Sequence, residues 1–268
     1  MMFDGKKIQK QILEKQKKRI GNLSHAPLLS IFYIGNNPVI EQYIEVKKRY
    51  GKKIGVKVEV IHFPENTSEE KVKESLLRVG NPCIIQLPLP DIFSKENILS
   101  CVPEEYDIDI LSSLAIDSFI HNNTEFVPPV ARAVMDIVRE YSISLENKKV
   151  LIIGKGPLVG LQIARLFDRD GISYTIIDHT DNLLDEVRDA DIIISGTGVP
   201  SLIKGNDIKE GCILIDAGTT SDGVSIVGDF DSSTYEKAYG YTPVPGGIGP
   251  LTVSSLFENV VLYYERNV

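Results

Sequence analysis

Strand-like and helix-like segments alternate along nearly the whole chain, and this alternation constrains the fold more than any other feature. Leu28-Leu29-Ser30-Ile31-Phe32-Tyr33-Ile34 is an apolar run closed by Gly35-Asn36-Asn37-Pro38, which reads as a strand and a turn. Residues 39–55 carry apolar positions at Ile40, Tyr43, Ile44 and Val46 and stop at Gly55, as a helix would. Val56-Lys57-Val58-Glu59-Val60 then alternates as a strand. Thr67-Ser68-Glu69-Glu70 has the pattern of a capping box opening another helix. Cys83-Ile84-Ile85-Gln86 follows as a buried strand, stopped by Leu87-Pro88-Leu89-Pro90. The expected class is α/β with largely parallel sheets.

After Val127-Pro128-Pro129 the pattern predicts a helix over Val130–Tyr141 leading into a second unit. There Lys149-Val150-Leu151-Ile152-Ile153 meets Gly154, and a helix runs on through Ala164-Arg165-Leu166-Phe167. Strands are expected at 174–177, 191–195 and 212–216, a Rossmann-type beginning. A last helix, about Pro250–Tyr264, follows these strands and is read as packing back onto the first unit.

Composition narrows the function classes. With 29 basic and 37 acidic residues the net charge is −8, which argues against a nucleic-acid partner. No apolar run of about 18 residues is present, so no membrane-spanning helix is expected. The start, Met1-Met2-Phe3-Asp4-Gly5-Lys6-Lys7, lacks the apolar stretch of a secretory signal. Cys83, Cys101 and Cys212 are too few and too scattered for a disulfide or zinc framework, and no metal cluster is visible. The expectation is a reduced, cytoplasmic enzyme or small-molecule binder.

Several segments carry chemistry. Gly154-Lys155-Gly156-Pro157-Leu158-Val159-Gly160, between a strand and a helix, suits a dinucleotide pyrophosphate or else a tight structural turn. Asp178 ends the next strand, where a carboxylate holds ribose hydroxyls or merely caps a turn; Lys155 and His179 would instead meet a ribose phosphate. Tyr43 and Lys47 share a helix face at i, i+4. Lys47 is either one more solvated charge of a basic run, or an ammonium turned inward whose burial would lower its pKa. Gln86 ends an apolar strand, positioned either to meet a ligand or to bond the loop backbone. Asp107 and Asp109 share a face of an extended segment, as ring-binding acids or as plain loop carboxylates. Tyr241-Thr242-Pro243-Val244-Pro245-Gly246-Gly247-Ile248-Gly249-Pro250-Leu251-Thr252 makes a stiff loop, poor in side chains, that suits a planar ligand.

Together these pieces resemble the bifunctional methylenetetrahydrofolate dehydrogenase/methenyltetrahydrofolate cyclohydrolase family, from Phe3-Asp4-Gly5-Lys6 to the final helix. The most specific matches are Gln86-Leu87-Pro88-Leu89-Pro90 and Pro243–Thr252, with Tyr43–Lys47, Asp107-Ile108-Asp109 and the glycine loop beside them. The resemblance implies two α/β domains with a cleft between them. Residues 1–125 would bind folate, completed by the helix of about 250–268, and residues 126–249 would form a Rossmann-like NADP-binding domain. It implies Lys47 as the catalytic lysine, Tyr43 stacked on the folate, Gln86 tuning Lys47 and Asp109 bonding the pterin. Leu87, Pro88, Pro245, Gly246 and Gly247 would line the substrate site. Gly154, Lys155, Gly156, Pro157, Leu158, Val159, His179, Thr180, Thr197, Gly198 and Thr219 would hold NADP, with NAD the lesser alternative. A homodimer is implied as well.

The chain departs from the family pattern at four places. Ile40 stands where serine is usual and Lys155-Gly156 where Arg-Ser is usual. Ile110 replaces the glycine after the D-x-D element, and Val130-Ala131 replaces a Thr-Pro pair. The first three bear on cyclohydrolase rate, cofactor preference and pterin-loop geometry. Two alternatives stay open: a dehydrogenase with little cyclohydrolase activity, and a non-catalytic nucleotide-binding regulator.

Overall fold

A computed structural model describes residues 1–178, 183–218, 220–221 and 226–267. It divides into two compact units, Gln11–Val127 with Leu256–Val268, and Met1–Lys10 with Pro128–Ser255.

The first part of the chain contributes α1 (Gly5–Ile20), β1 (Leu28–Ile34), α2 (Pro38–Ile54), β2 (Lys57–Phe63), α3 (Glu69–Leu77), β3 (Cys83–Ile85), α4 (Lys95–Leu99) and α5 (Ser113–Ile120). Its sheet has the order β2-β1-β3, with both pairings parallel. The central strand β1 is buried from Leu29 to Ile34, which is why it reads as a continuous apolar run rather than an alternation. Phe32, Ile34, Phe63, Val72, Leu76 and Ile85 form the core on one side.

Helix α2 begins and ends where its sequence requires. The Asn37 side chain accepts from the N–H groups of Val39 and Ile40, with Pro38 in the first turn where a missing N–H costs nothing. Gly55 closes it at φ 93°, a left-handed cap that favours glycine. Ile40, Ile44 and Ile54 face inward, and this phase leaves Tyr43 and Lys47 together on the neighbouring flank.

One local expectation changes. The capping box before α3 does not form: Ser68 is the cap residue and makes no side-chain cap bond. Starting the helix at Glu69 puts Lys71, not an acid, at the third position, and Glu69 bonds Lys73 and the Ser94 N–H instead. Helix α1 has no clean apolar periodicity, because its inward stripe, Ile8, Ile12, Gln16 and Ile20, is interrupted by a polar residue. Gln16 is buried, accepts from the Tyr50 hydroxyl at 2.8 Å and donates to Glu258 at 2.9 Å.

The second part contributes α6 (Pro129–Glu140), β4 (Val150–Ile153), α7 (Gly160–Asp170), β5 (Thr175–Ile177), α8 (Leu183–Asp189), β6 (Ile192–Ser195), β7 (Ile213–Asp216), β8 (Thr220–Ser221), β9 (Ile226–Val227), β10 (Gly240–Tyr241) and α9 (Ile248–Arg266). Its sheet runs β10-β7-β6-β4-β5, all parallel, and β8 pairs antiparallel with β9. Residues 1–10 group with this unit rather than with the residues that follow them. The reason is edge pairing: the Phe3 N–H donates to the Tyr241 carbonyl at 2.7 Å, and the Tyr241 N–H to the Met1 carbonyl at 3.0 Å. The buried Phe3 ring lies against Gly240, where any side chain would overlap it, and 4.6 Å from the Tyr141 ring centre.

Candidate active site

In the first unit, three polar side chains from separate elements come together. Lys47 projects from α2, Gln86 follows β3, and Asp109 lies in the segment before α5. Lys47 Nζ donates to Gln86 Oε1 at 2.8 Å. Gln86 is itself oriented: its Nε2 donates to the Leu87 carbonyl at 2.9 Å, and its N–H extends the β1–β3 ladder to the Phe32 carbonyl. Its acceptor oxygen is thereby left facing the lysine.

Removal from water lowers the Lys47 pKa, and the charge of Asp109 opposes that shift. The Asp109 carboxyl is pushed up to about 6 by desolvation, which outweighs the pull of Lys47; Asp107 adds to the rise. Tyr43, one turn before Lys47, keeps 39% of its surface exposed and offers its ring to solvent. Leu87 is half-buried and Pro88 exposed beside Gln86.

Asp107 and Asp109 separate in role. Asp107 is buried and accepts from the N–H groups of Leu111 at 3.1 Å and Ser112 at 2.8 Å, so it holds the turn. Asp109 is half-buried, and its charge interacts with that of Lys47. Between them and the helix, Ile110 stands at φ 54°, a left-handed conformation that costs a β-branched residue about 1–2 kcal/mol. Its side chain is 1% exposed, and Asn259 Nδ2 anchors the same segment through the Ile108 carbonyl at 2.8 Å.

In the second unit, the strand ends form a different site. Gly154, at φ 103°, follows β4, and its N–H donates to the Ile177 carbonyl at 2.9 Å. A side chain at Gly160 would overlap the Gly154 carbonyl, so glycine lets α7 start directly behind the loop. A side-chain carbon at Gly156 would meet nothing within 4 Å. This open, glycine-lined turn at the N-terminus of an 11-residue helix fits a pyrophosphate. Lys155, Pro157 and Leu158 are exposed on the turn, and Val159 packs against Gly196 after β6. Thr197 and Gly198 continue from there, and the Thr220 hydroxyl donates to the Gly198 carbonyl. His179, Thr180 and Thr219 lie outside the described residues.

Pro245, Gly246 and Gly247 belong to this unit too, in the loop before α9, where the Lys6 N–H donates to the Gly246 carbonyl at 3.2 Å. Among the described residues no group of three or more His, Cys, Asp or Glu is placed to hold a metal ion. Nor is any described helix long and apolar enough to cross a membrane.

Family models for the two halves match this chain. Residues 3–109 match the tetrahydrofolate dehydrogenase/cyclohydrolase catalytic domain, and residues 128–268 match the NAD(P)-binding domain of the same family. The chain belongs to the tetrahydrofolate dehydrogenase/cyclohydrolase family.

Relatives within the family agree over full length. The Bifunctional protein FolD of Staphylococcus haemolyticus is 33% identical over 272 residues, covering 97% of this chain and 95% of that protein. The structure of the bifunctional FolD enzyme from Campylobacter jejuni has a TM-score of 0.93 at 29% identity, covering 100% of this chain and 99% of that one. The Trypanosoma brucei FolD structure, in complex with NADP and an inhibitor, also has a TM-score of 0.93, at 27% identity, covering 100% and 98%. The two-domain α/β class read from the sequence is the class of these structures.

One residue that holds the loop after β6 carries no local signal in the sequence. Asp229 bonds Ser195 and Thr197, yet it sits 32 residues beyond Thr197 in a stretch without a recognisable motif. The signal available was a pairing of Asp216 and Gly218 with Gly228 and Asp229, which means little until the fold brings them together.

Proposed function

We propose that Lys47, Gln86 and Asp109, with Tyr43, form the folate-reacting centre of a bifunctional one-carbon enzyme. The chain oxidises methylenetetrahydrofolate to methenyltetrahydrofolate with NADP, then hydrolyses that product to formyltetrahydrofolate. The hydrogen bond from Lys47 to Gln86, on a lysine whose pKa burial has lowered, carries the assignment of roles.

When bound, NADP supplies the hydride acceptor. The chain's contribution to that step is placement: Gly154, Lys155, Gly156, Pro157, Leu158 and Val159 hold the phosphates at the start of α7, while Thr197 and Gly198 border the same strand ends. His179, Thr180 and Thr219 complete this set by family resemblance. Lys155 favours a ribose phosphate, and so NADP over NAD.

In the hydrolytic step, neutral Lys47 takes a proton from the water attacking the bridging carbon and returns it to the departing nitrogen. Gln86 keeps Nζ aimed, and Asp109 holds the pterin through its ring amine and amide. Tyr43 supplies a stacking face, with Leu87 and Pro88 beside it, and Pro245, Gly246 and Gly247 are assigned to substrate binding by family resemblance. Ile40, buried three residues before Tyr43, puts a hydrocarbon where the family has a hydroxyl, and this favours a hydrolytic step slower than the dehydrogenation.

The folate-binding domain is assigned to residues 1–125 with about 250–268, and the NADP-binding domain to 126–249. A cytoplasmic homodimer belongs to the same proposal, and sedimentation at micromolar concentration tests the dimer. The activity is tested by supplying methylenetetrahydrofolate with NADP or NAD and following reduced cofactor and the methenyl chromophore together. Cofactor reduction without decay of the chromophore would remove the hydrolase half of the assignment.

A further inference from the structure

Asp216 and Asp229 are buried acids, each lying on a glycine beside the other. Asp216 ends β7 and Asp229 follows β9. A side-chain carbon at Gly218 would overlap the Asp229 carboxylate, and one at Gly228 would overlap Asp216 Oδ2. The two carboxylates therefore cross, and only glycine fits at either position.

Their hydrogen bonds are unequally shared. Asp216 accepts from backbone, the Gly218 N–H at 3.1 Å and the Phe230 N–H at 3.2 Å. Asp229 Oδ2 accepts three bonds: Ser195 Oγ at 2.6 Å, the Thr197 N–H at 2.7 Å and Thr197 Oγ1 at 2.9 Å. Asp229 Oδ1 is buried with no hydrogen-bond partner among the described residues. A bare buried oxygen is costly, and an apolar residue would pack here without it. What the acid adds is the fixed position of Ser195–Gly198, the segment on which Val159 of the glycine loop packs.

We propose that Asp229 is a positioning residue for the dinucleotide, setting the strand-end loop Ser195–Gly198 through three hydrogen bonds to one carboxylate oxygen. This rests on the reading above that Thr197 and Gly198 border NADP. Asp216 complements it. Burial and the neighbouring Asp229 push the Asp216 carboxyl up to about 7, so a proton held there spares the pair a second buried charge.

Asp229→Ala and Asp229→Asn test this, with NADPH affinity by fluorescence, folate affinity, methenyltetrahydrofolate hydrolysis and thermal unfolding measured on each. Hydrolysis uses no hydride and reports whether the rest of the enzyme is intact. Asp229→Ala should weaken NADPH by about tenfold or more, as loss of charged hydrogen bonds implies. Asn keeps one acceptor oxygen and should recover part of that loss, while folate affinity and hydrolysis stay within about twofold in both, because no bond of Asp229 leads to Lys47, Gln86 or Asp109. NADPH affinity unchanged in Asp229→Ala, or folate affinity and hydrolysis falling in parallel with it, would overturn the proposal. Should the alanine variant not fold, Asp229→Asn and Thr197→Val decide, and wild-type NADPH affinity in both counts against it. A wild-type enzyme that does not bind NADPH sinks the cofactor reading itself, a result distinct from either.

Discussion

Lys47 and Gln86 are 39 residues apart in sequence and 2.8 Å apart at Nζ and Oε1. The glutamine amide is held by the Leu87 carbonyl on its other side, so the lysine meets a preset acceptor instead of choosing one. Because Lys47 must be neutral to accept a proton, hydrolysis should rise with pH through an inflection below the ordinary lysine value. Lys47→Met should lower hydrolysis by at least about 10²-fold and leave NADP affinity unchanged. Gln86→Ala removes the acceptor that favours the ammonium, so its pH–rate inflection should move lower still, with a reduced plateau. An inflection that stays in place would show that Gln86 only braces the loop.

Asp109→Ala should weaken folate binding by roughly 1.5–3 kcal/mol, the worth of a hydrogen bond to a charged group. NADP affinity should not change. Isothermal titration with each ligand separates the two, and equal folate affinity in wild type and variant would return Asp109 to the role of a loop carboxylate.

Lys155 is exposed on the glycine turn, where an ammonium would meet a ribose phosphate as a point charge and without the bidentate fork of arginine. Lys155→Ala should raise the Michaelis constant for NADP and leave that for NAD nearly unchanged. A parallel rise for both cofactors, or a wild-type preference for NAD, would contradict this assignment.

Asp216 gives the stability of the fold a pH dependence of known sign. Its folded pKa, about 7, lies above the ordinary aspartate value, so the native state holds the proton more tightly than the unfolded chain. Stability is lost as pH rises from about 4 to about 7, where the unfolded acid has ionised and the native one has not. Asp216→Asn removes this dependence. Its melting temperature relative to wild type should be more favourable at pH 8 than at pH 4, and a constant difference across that range would show that Asp216 titrates normally.

Much of this protein is written locally. The alternation of strands and helices, the stop at Gly55, the glycine loop after β4 and the shared face of Tyr43 and Lys47 follow from periodicity and turn chemistry, which act over a few residues. Helix α1 is illegible locally because one buried glutamine breaks its stripe, and a polar residue signals solvent until its partners Tyr50 and Glu258 are known. Ile110 marks another limit. Its left-handed backbone is tolerated because Asp107 holds Leu111 and Ser112, and because its side chain is buried.

Fold class and family are legible from periodicity and motifs alone. Three things depend on tertiary packing: which of Asp107 and Asp109 lies near Lys47, that Lys47 loses enough water to lower its pKa, and that Thr197 bonds Asp229. The reason is physical. Helical and strand periodicities are properties of neighbouring residues, whereas desolvation and hydrogen-bond pairing depend on everything that surrounds a side chain. In parallel sheets those surroundings arrive through crossovers tens of residues long.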